Sequence, residues 1–315
     1  MGTYRAAIVG LSWIGADPLG PASHPVLGTA IPYSHASAFA ATPGVEVVAG
    51  CDIDADACET FRNRWNHRWP GLHTYADYRE MLQKERIDIL SVVTPDNLHR
   101  DIVVDATDAG VRAIFCDKPL ATSLADADAM IAAVRARDVA MTVNHTRRWG
   151  GSYHAAREQV RAGEIGKLAQ ISVHFGGERA MLFRNHSHFL DLICFFAESD
   201  PAWVIAELEP GFADYGTEYR GDGGRDPAKE PAANAYIAFR NGVRAFLGGM
   251  KHAAPEVSVD VIGASGRIHV NDATAVRILP AEGGATEQPI VPQFTRAGMQ
   301  AAVADLINAL ETGAP

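Results

Sequence analysis

The sequence has few cysteines, no excess of basic charge and no internal repeat. Its four cysteines, Cys51, Cys58, Cys116 and Cys194, lie far apart and form no C-x-x-C pair. We therefore expect reduced thiols and no metal site. Lys and Arg total 28 against 38 for Asp and Glu, a formal charge of −10. This balance argues against nucleic acid or an anionic membrane as a partner.

A long apolar run is also lacking. No segment approaches the roughly 20 apolar residues that a membrane span requires, and the first strand-like run begins at Arg5 without a leader before it. We expect a cytoplasmic protein with no membrane partner. At 315 residues and 47% hydrophobic content, the chain has enough apolar material for two packed cores. We predict domains at 1–145 and 146–315.

The first domain shows short β-branched runs that alternate with amphipathic stretches, the pattern of βαβ units on a parallel sheet. We place its strands at 5–9, 45–51, 87–94, 111–116 and 140–143. Helices are predicted from Ser123, whose S-x-x-D pattern is a capping box, and from His99 to a stop at Gly110. The pattern predicts an α/β Rossmann domain with a doubly wound parallel sheet.

After Trp149 the alternation ends, and one or two helices precede a run of longer strands. We place these strands at 168–176, 203–209, 234–240, 243–249, 256–262 and 266–270, with a tight hairpin at Asn241-Gly242. The pattern predicts an α+β domain with an open, mostly antiparallel sheet. The segment 211–231 is predicted to be a long surface loop that acts as a lid. We predict a helix at about 299–310 and assign it to this domain. Only residues 311–315 follow it, which leaves open whether the natural chain continues.

A glycine-rich loop follows the first strand. The segment Gly10-Leu11-Ser12-Trp13-Ile14-Gly15 matches G-x-G-x-x-G at its first and last glycines but has Ser12 at the middle one. Ser12 narrows the approach of a pyrophosphate and offers a hydroxyl donor. Segment 16–32 reads as an inserted loop that folds over the cofactor, toward the substrate or on the surface, so the first helix is expected near Ser34.

Asp52 ends the second strand, where a carboxylate accepts hydrogen bonds from both hydroxyls of an adenosine ribose and repels a 2′-phosphate. NAD is therefore favoured over NADP. A solvated strand-end carboxylate is the alternative reading. At the end of a later strand, Asp117-Lys118-Pro119 places a lysine where ligands bind in an open parallel sheet. A lysine of lowered pKa can exchange a proton with an alcohol.

These motifs resemble the Gfo/Idh/MocA family of oxidoreductases. The resemblance rests on the glycine loop, on Thr94-Pro95 with His99 beyond it, on the E-K-P-like triplet at 117–119, and on Gly163-Glu164-Ile165-Gly166. It implies sugar, cyclitol or related substrates, dimers or tetramers formed through the open sheet, and Lys118 as the residue that transfers a proton. It also places Thr94, Pro95, Asn97, His99, Asp117 and Lys118 among the cofactor-binding residues.

The family's second motif, D-x-x-x-H, corresponds to the segment 184–191. His188 matches the family histidine and is predicted to exchange a proton with the substrate, while Asn185 or Asp191 holds its ring. Arg184 stands where the family has aspartate. It either binds an anionic substrate group through its planar fork of donors, or forms an ordinary surface ion pair.

Further substrate contacts are expected from residues after the last strand of the first domain, 140–143: Asn144, Arg148 and Trp149. Of the two neighbouring arginines, we predict that Arg148 points inward and Arg147 toward solvent. Arg179, Tyr219 and the loop around Asp222 are candidates by placement alone. The predicted substrate contacts are thus Asn144, Arg148, Trp149, Arg184, Asn185 and Asp191.

Three functions are compatible with these residues. The first is an NAD-dependent dehydrogenase or reductase acting on a sugar, cyclitol or glycoside alcohol. The second is a redox-neutral lyase, glycosidase or epimerase in which transient oxidation acidifies a neighbouring C–H. The third is a regulator that senses a dinucleotide without catalysis. The first is preferred. The Arg184 departure keeps the second open, and the presence of both Lys118 and His188 argues against the third.

Overall fold

The computed structural model describes residues 3–17, 32–292 and 298–313. These residues form two compact units, and the division between them falls between Asn144 and His145. The prediction placed the last helix in the second domain, whereas its contacts group it with the first. The described residues contain no helix long and apolar enough to cross a membrane.

The first unit contains a six-stranded parallel sheet in the order β3-β2-β1-β4-β5-β6. Its strands are β1 (Tyr4–Val9), β2 (Val45–Cys51), β3 (His73–Tyr75), β4 (Ile89–Val92), β5 (Ala113–Cys116) and β6 (Ala140–Val143). The order reverses between β1 and β4, and such a switch point is where open α/β sheets bind ligands. The Rossmann prediction is confirmed, although the three-residue edge strand β3 was not predicted.

Helices accompany this sheet: α1 (His35–Ala41), α2 (Ala55–Trp65), α3 (Tyr78–Lys84), α4 (His99–Asp108), α5 (Leu124–Ala136) and the C-terminal helix α8 (Gly298–Thr312). The predicted cap at Ser123 is confirmed, because its side chain accepts a hydrogen bond from the Asp126 amide. Helix α1 begins next to Ser34 as predicted, and the Ser34 side chain caps it by accepting a hydrogen bond from the Ser37 amide. Helix α8 packs against α1, β5 and β6.

The second unit contains an eight-stranded sheet in the order β14-β13-β12-β11-β7-β10-β9-β8. Only the β7–β10 pair is parallel among these neighbours. The strands are β7 (Leu168–Gly176), β8 (Pro201–Leu208), β9 (Ala233–Phe239), β10 (Arg244–Met250), β11 (Glu256–Gly263), β12 (Arg267–Val270), β13 (Ala275–Ala281) and β14 (Gly284–Pro289). The open-sheet prediction is confirmed, while β13 and β14 were not predicted.

Two helices of this unit are α6 (Gly151–Arg161) and α7 (Ser187–Ala197), and α7 is preceded by a π-helical turn at Leu182–His186. One face of the sheet and α7 share an apolar core that includes Ile171, Val173, Phe189 and Phe196. This packing fixes α7, the element that carries the predicted catalytic histidine.

Candidate functional site

The glycine loop has a backbone that only glycine can supply at its first position. Gly10 has φ +96°, and a Cβ there would lie 2.4 Å from the Val93 carbonyl oxygen. A Cβ on Gly15 would lie 2.1 Å from the Gly10 carbonyl oxygen, so the last glycine permits the close return of the chain. The two glycines of the motif therefore do in this structure what a phosphate-binding turn requires.

Between the glycines, the side chains of Ser12 and Trp13 are exposed, whereas Ile14 is half-buried. Trp13 has φ +46°, a left-handed conformation that is unusual for a tryptophan and is typical of residues held at functional sites. The inserted loop proposed after this turn falls mostly at residues 18–31, outside the described residues.

Asp52 follows β2 and is bonded to the glycine loop. Its Oδ2 accepts a hydrogen bond from the Leu11 amide at 2.8 Å, and its Oδ1 accepts one from the Asp54 amide at 3.0 Å. The side chain remains half-buried. Asp52 is therefore more than a solvated strand-end charge, because it joins the carboxyl ends of β1 and β2 directly.

Apolar side chains near this edge were missed by sequence reasoning. Ile53, directly after Asp52, is 93% exposed, and Leu98 is 43% exposed. Exposed apolar side chains mark a surface that another group covers, such as the planar ring of a ligand. In the sequence, only the position of Ile53 directly after the strand-end carboxylate indicated that it lies at this edge.

Lys118 lies directly after β5, within the segment that also holds Asp117. The Asp117 carboxylate accepts a hydrogen bond from the side-chain amide of Asn144 at 3.0 Å. Burial raises the pKa of this carboxyl, but the His35 ring and the Lys118 ammonium outweigh burial and hold the pKa well below its ordinary value. Asp117 is therefore an anion next to the predicted catalytic lysine.

His35 is a site residue that sequence reasoning missed. Its ring is fully buried, with Nδ1 2.6 Å from the Ser91 hydroxyl oxygen and Nε2 3.1 Å from the Asn144 amide nitrogen. The ring is therefore held at both nitrogens, by Ser91 of β4 on one side and by Asn144 after β6 on the other. The sequence indicated this role of His35 only by placing a histidine at the start of the mostly apolar helix α1.

His99 is placed differently from its predicted role. The prediction counted it among the cofactor contacts, but its ring is fully buried. Its Nε2 lies 3.0 Å from the Thr94 carbonyl oxygen, and its Nδ1 lies 3.2 Å from the carbonyl oxygens of Pro119 and Leu120. His99 thus ties the loop after β4 to the loop after β5, leaving Pro95 and Asn97 exposed and Thr94 half-buried beside them.

A cluster of polar side chains in the second unit surrounds the start of α7. His188 is 1% exposed, and its ring meets that of His145 edge-on at 5.6 Å between centroids. Asp191 accepts hydrogen bonds from Nε and Nη2 of Arg148 at 2.7–3.0 Å, and its Oδ1 lies 3.6 Å from His145 Nδ1. Three predicted residues, His188, Arg148 and Asp191, therefore lie together, with His145 as an addition.

The prediction that Arg147 points toward solvent was wrong. The Arg147 side chain is 6% exposed and makes two 2.9 Å hydrogen bonds to Asp272, which also accepts from the Tyr153 hydroxyl at 2.8 Å. The Arg148 side chain is 32% exposed. A bidentate carboxylate partner explains why Arg147 is the buried one of the pair.

The other predicted substrate residues already have structural partners. The Asn185 amide nitrogen donates to the Arg179 carbonyl oxygen at 2.6 Å, and Trp149 stacks on His154 with 6.0 Å between centroids. Arg184 is half-buried and packs against Gly224, whose added Cβ would lie 2.8 Å from its Cγ. Arg184 is thus held against the connection between β8 and β9, and both readings of it, as an anion-binding or an ion-paired residue, stay predictions.

His186 is a second buried histidine next to the motif. It is fully buried against Phe175, with 5.5 Å between the ring centroids, and a Cβ on Gly249 would lie 1.9 Å from its ring. Burial, with the Lys251 ammonium nearby, lowers the pKa of His186 to about 4. His186 is therefore a neutral residue of the core.

The first unit is a dinucleotide-binding Rossmann domain by its strand order, its glycine turn and its strand-end carboxylate. Comparison with known proteins agrees with this class. Residues 4–145 match the model of the oxidoreductase family with an NAD-binding Rossmann fold, GFO_IDH_MocA. The matched family is the one that the sequence motifs resemble, and the match covers the first unit.

Relatives and solved structures extend the comparison. D-apiose dehydrogenase of Paraburkholderia graminis is 35% identical over 42% of this chain and 34% of its own length. The NAD⁺-dependent scyllo-inositol 2-dehydrogenase of Bacillus subtilis is 26% identical over 83% of this chain and 77% of its own length. The first of these matches thus spans only about a third of the relative.

A crystal structure of a putative NADPH-dependent oxidoreductase from Desulfitobacterium hafniense superposes with a TM-score of 0.78, at 17% identity, over 100% of this chain and 90% of that one. At this identity the likeness shows the fold alone. It extends the agreement in fold to both units.

Proposed function

We propose that this protein is an NAD-dependent oxidoreductase that transfers hydride between nicotinamide and a secondary alcohol or ketone of a sugar, cyclitol or glycoside. The observation that carries the proposal is the row of groups at the carboxyl ends of parallel strands: Gly10 after β1, Asp52 after β2 and Lys118 after β5. The curated relatives that are named as apiose and inositol dehydrogenases support the substrate class.

The preference for NAD over NADP rests on charge around Asp52. Its carboxylate would accept both ribose hydroxyls and would repel a 2′-phosphate. Asp54 and Asp56 follow within one helical turn, and the side chain of Asp54 caps α2. Three carboxylates at this position oppose a further phosphate group. The proposed cofactor contacts remain Gly10, Ser12, Trp13, Ile14, Gly15, Asp52, Thr94, Pro95, Asn97, Asp117 and Lys118, with Ile53 added for the adenine.

Lys118 and His188 are the proposed proton-transferring groups. Bound NAD would supply the hydride acceptor, and a neutral lysine amine or a neutral imidazole would take the hydroxyl proton as hydride leaves carbon. Asp117, Asn144 and His35 hold the segment of Lys118, whereas His145 and Asp191 flank His188. No metal-ligating cluster occurs among the described residues, and the proposal requires none.

Assembly through the open sheet is proposed from its exposed apolar side chains. Trp203, Ile205, Phe246 and Met250 are 49%, 67%, 42% and 43% exposed. Tyr236 packs between Trp203 and Phe246, with ring centroids 5.3 and 5.0 Å away. An apolar patch of this kind on a sheet is the usual mark of a protein interface. We propose a homodimer or homotetramer.

The proposal is tested by a substrate panel of inositols, aldoses, uronates and glycosides, supplied with NAD⁺ or NADP⁺. Formation of reduced cofactor with at least one alcohol, faster with NAD⁺, is the expected result. Substrate conversion without accumulation of reduced cofactor would favour the redox-neutral scheme. Cofactor binding without conversion of any panel member would favour a sensor.

A further inference from the structure

The long connection between β8 and β9 is bonded to the start of the histidine-bearing segment. The Glu230 side chain, 1% exposed, reaches the π-helical turn at Leu182–His186. Its Oε1 accepts hydrogen bonds from the amides of Phe183 at 2.6 Å and Arg184 at 2.7 Å. The Leu182 amide donates to the Pro231 carbonyl oxygen at 2.8 Å. Two adjacent residues of the connection thus satisfy three consecutive amides.

A carboxylate suits this position for a physical reason. The first amides of a helical segment have no partner within it and carry partial positive charge. No side chain of the segment itself caps it, since Met181 at the cap position makes no such bond. Glu230 therefore supplies from 46 residues away what a local cap usually supplies.

A lysine holds the two ends of the connection together. The Lys251 ammonium, on a side chain that is 8% exposed, lies 2.6 Å from Glu209 Oε2. It also donates to the carbonyl oxygens of Glu230 at 2.5 Å and Pro227 at 2.8 Å. Glu230 is therefore held twice: Lys251 binds its carbonyl oxygen, and the amides of the π-helical turn bind its side chain.

Aromatic rings complete the attachment. The Tyr219 hydroxyl lies 3.2 Å from Glu230 Oε2 and accepts a hydrogen bond from the Gly223 amide at 3.0 Å. The Phe183 ring packs against Tyr219 and Tyr215, with centroids 5.3 and 5.7 Å apart. The connection, the π-helical turn and the start of α7 thus form one bonded unit.

We propose that Glu230 is a positioning residue that holds the π-helical turn and thereby sets the orientation of His188. A π-helical turn adds a residue to the regular spacing and so rotates the side chains that follow it. His188 lies two residues after this turn. Loss of the carboxylate frees the amides of Phe183 and Arg184, lets the turn relax toward regular helix, and turns His188 away. The role of Glu230 in turnover rests on the proposed function of His188.

The experiment compares Glu230→Ala, Glu230→Gln and the matched control Glu218→Gln, which alters an exposed carboxylate of the same connection. For Glu230→Ala we expect kcat to fall by about 10- to 100-fold, the effect of leaving buried donors without an acceptor. The Kd for NAD should stay within about twofold, because the cofactor residues lie in the other unit. Glu230→Gln keeps an acceptor oxygen and should recover most of kcat.

A second readout does not require turnover. In histidine-labelled protein, the ring resonances of His188 should shift in Glu230→Ala and return in Glu230→Gln. Unchanged His188 resonances in folded Glu230→Ala would overturn the proposal, whatever the activity. If Glu230→Ala does not fold, Tyr219→Phe, which removes one bond to the same carboxylate, must shift these resonances in part. An inactive wild type would count against the proposed function, while the resonances would still decide the role of Glu230.

Discussion

The side-chain amide of Asn144 lies 3.0 Å from the Asp117 carboxylate and connects the ends of β5 and β6. The same nitrogen lies 3.1 Å from the buried ring of His35, so one amide group satisfies two partners. This geometry fixes the segment in which Lys118 sits. Asn144 therefore has a structural role that does not depend on any contact with substrate.

Replacement of Asn144 should therefore affect stability as well as turnover. In Asn144→Leu, the Asp117 carboxylate and the buried His35 ring each lose a hydrogen-bond partner, which costs about 1–3 kcal/mol of unfolding free energy. Urea denaturation measures this loss, with Asn63→Ala on the exposed face of α2 as control. Equal stability of Asn144→Leu and wild type would contradict the assigned hydrogen bonds.

The cofactor preference should depend on Asp52. In Asp52→Asn, the amide cannot accept from both ribose hydroxyls, and the repulsion of a 2′-phosphate falls. We expect the Kd for NAD to rise about tenfold, as for loss of one charge-assisted hydrogen bond, and the preference over NADP to shrink. Calorimetric titration with NAD and with NADP measures both Kd values, and Glu59→Gln on α2 is the control. A Kd for NAD that stays unchanged in Asp52→Asn would show that the Asp52 carboxylate does not bind the cofactor.

Acid should destabilise the protein through His186. Its pKa is lowered to about 4 in the folded state, whereas the unfolded chain has about 6.5. Below pH 6.5 the unfolded state binds the proton first, so stability falls as pH falls toward 4, by about 2 kcal/mol between pH 6.5 and 5.

His186→Leu should remove this part of the pH dependence, whereas His67→Gln, at an exposed position, should keep it. Thermal unfolding between pH 5 and 7.5 provides the measurement. Parallel stability curves for wild type and His186→Leu would show that the buried ring does not titrate in this way.

The apolar face of the second sheet should be an interface between copies of this chain. Ile205→Glu places a charge on the edge strand β8, where burial against a partner would be costly. Light scattering should give a single-chain mass for this variant and a multiple of it for wild type. Leu124→Glu, at another exposed apolar residue, should leave the mass unchanged. A monomeric wild type would rule out the assembly.

The sequence was sufficient for the architecture of both units because their strands and caps have strong local signals. Asn241-Gly242 marked the β9–β10 hairpin, and Ser34 and Ser123 marked two helix starts. Strand β14 escaped because its six residues are all exposed and show no alternation. The pattern of α8 showed that it is amphipathic but not which core it joins.

The placement of candidate site residues was predictable where it depends on position along a strand. Gly10, Asp52 and Lys118 all follow strands, and the order of a Rossmann sheet brings strand ends together. The links made by His35 and Glu230 join segments that are far apart in the sequence. Buried polar partners of this kind are chosen by the tertiary fold, so no local pattern announces them.

We propose above all that Lys118 accepts the hydroxyl proton during hydride transfer to NAD. The most direct measurement is the rate at which reduced cofactor accumulates with the best alcohol of the panel, for wild type, Lys118→Ala and the surface control Lys84→Ala. We predict that Lys118→Ala lowers kcat by about 10²- to 10⁴-fold, with the Kd for NAD nearly unchanged and Lys84→Ala fully active. A Lys118→Ala enzyme that reduces NAD⁺ at the wild-type rate would contradict the account.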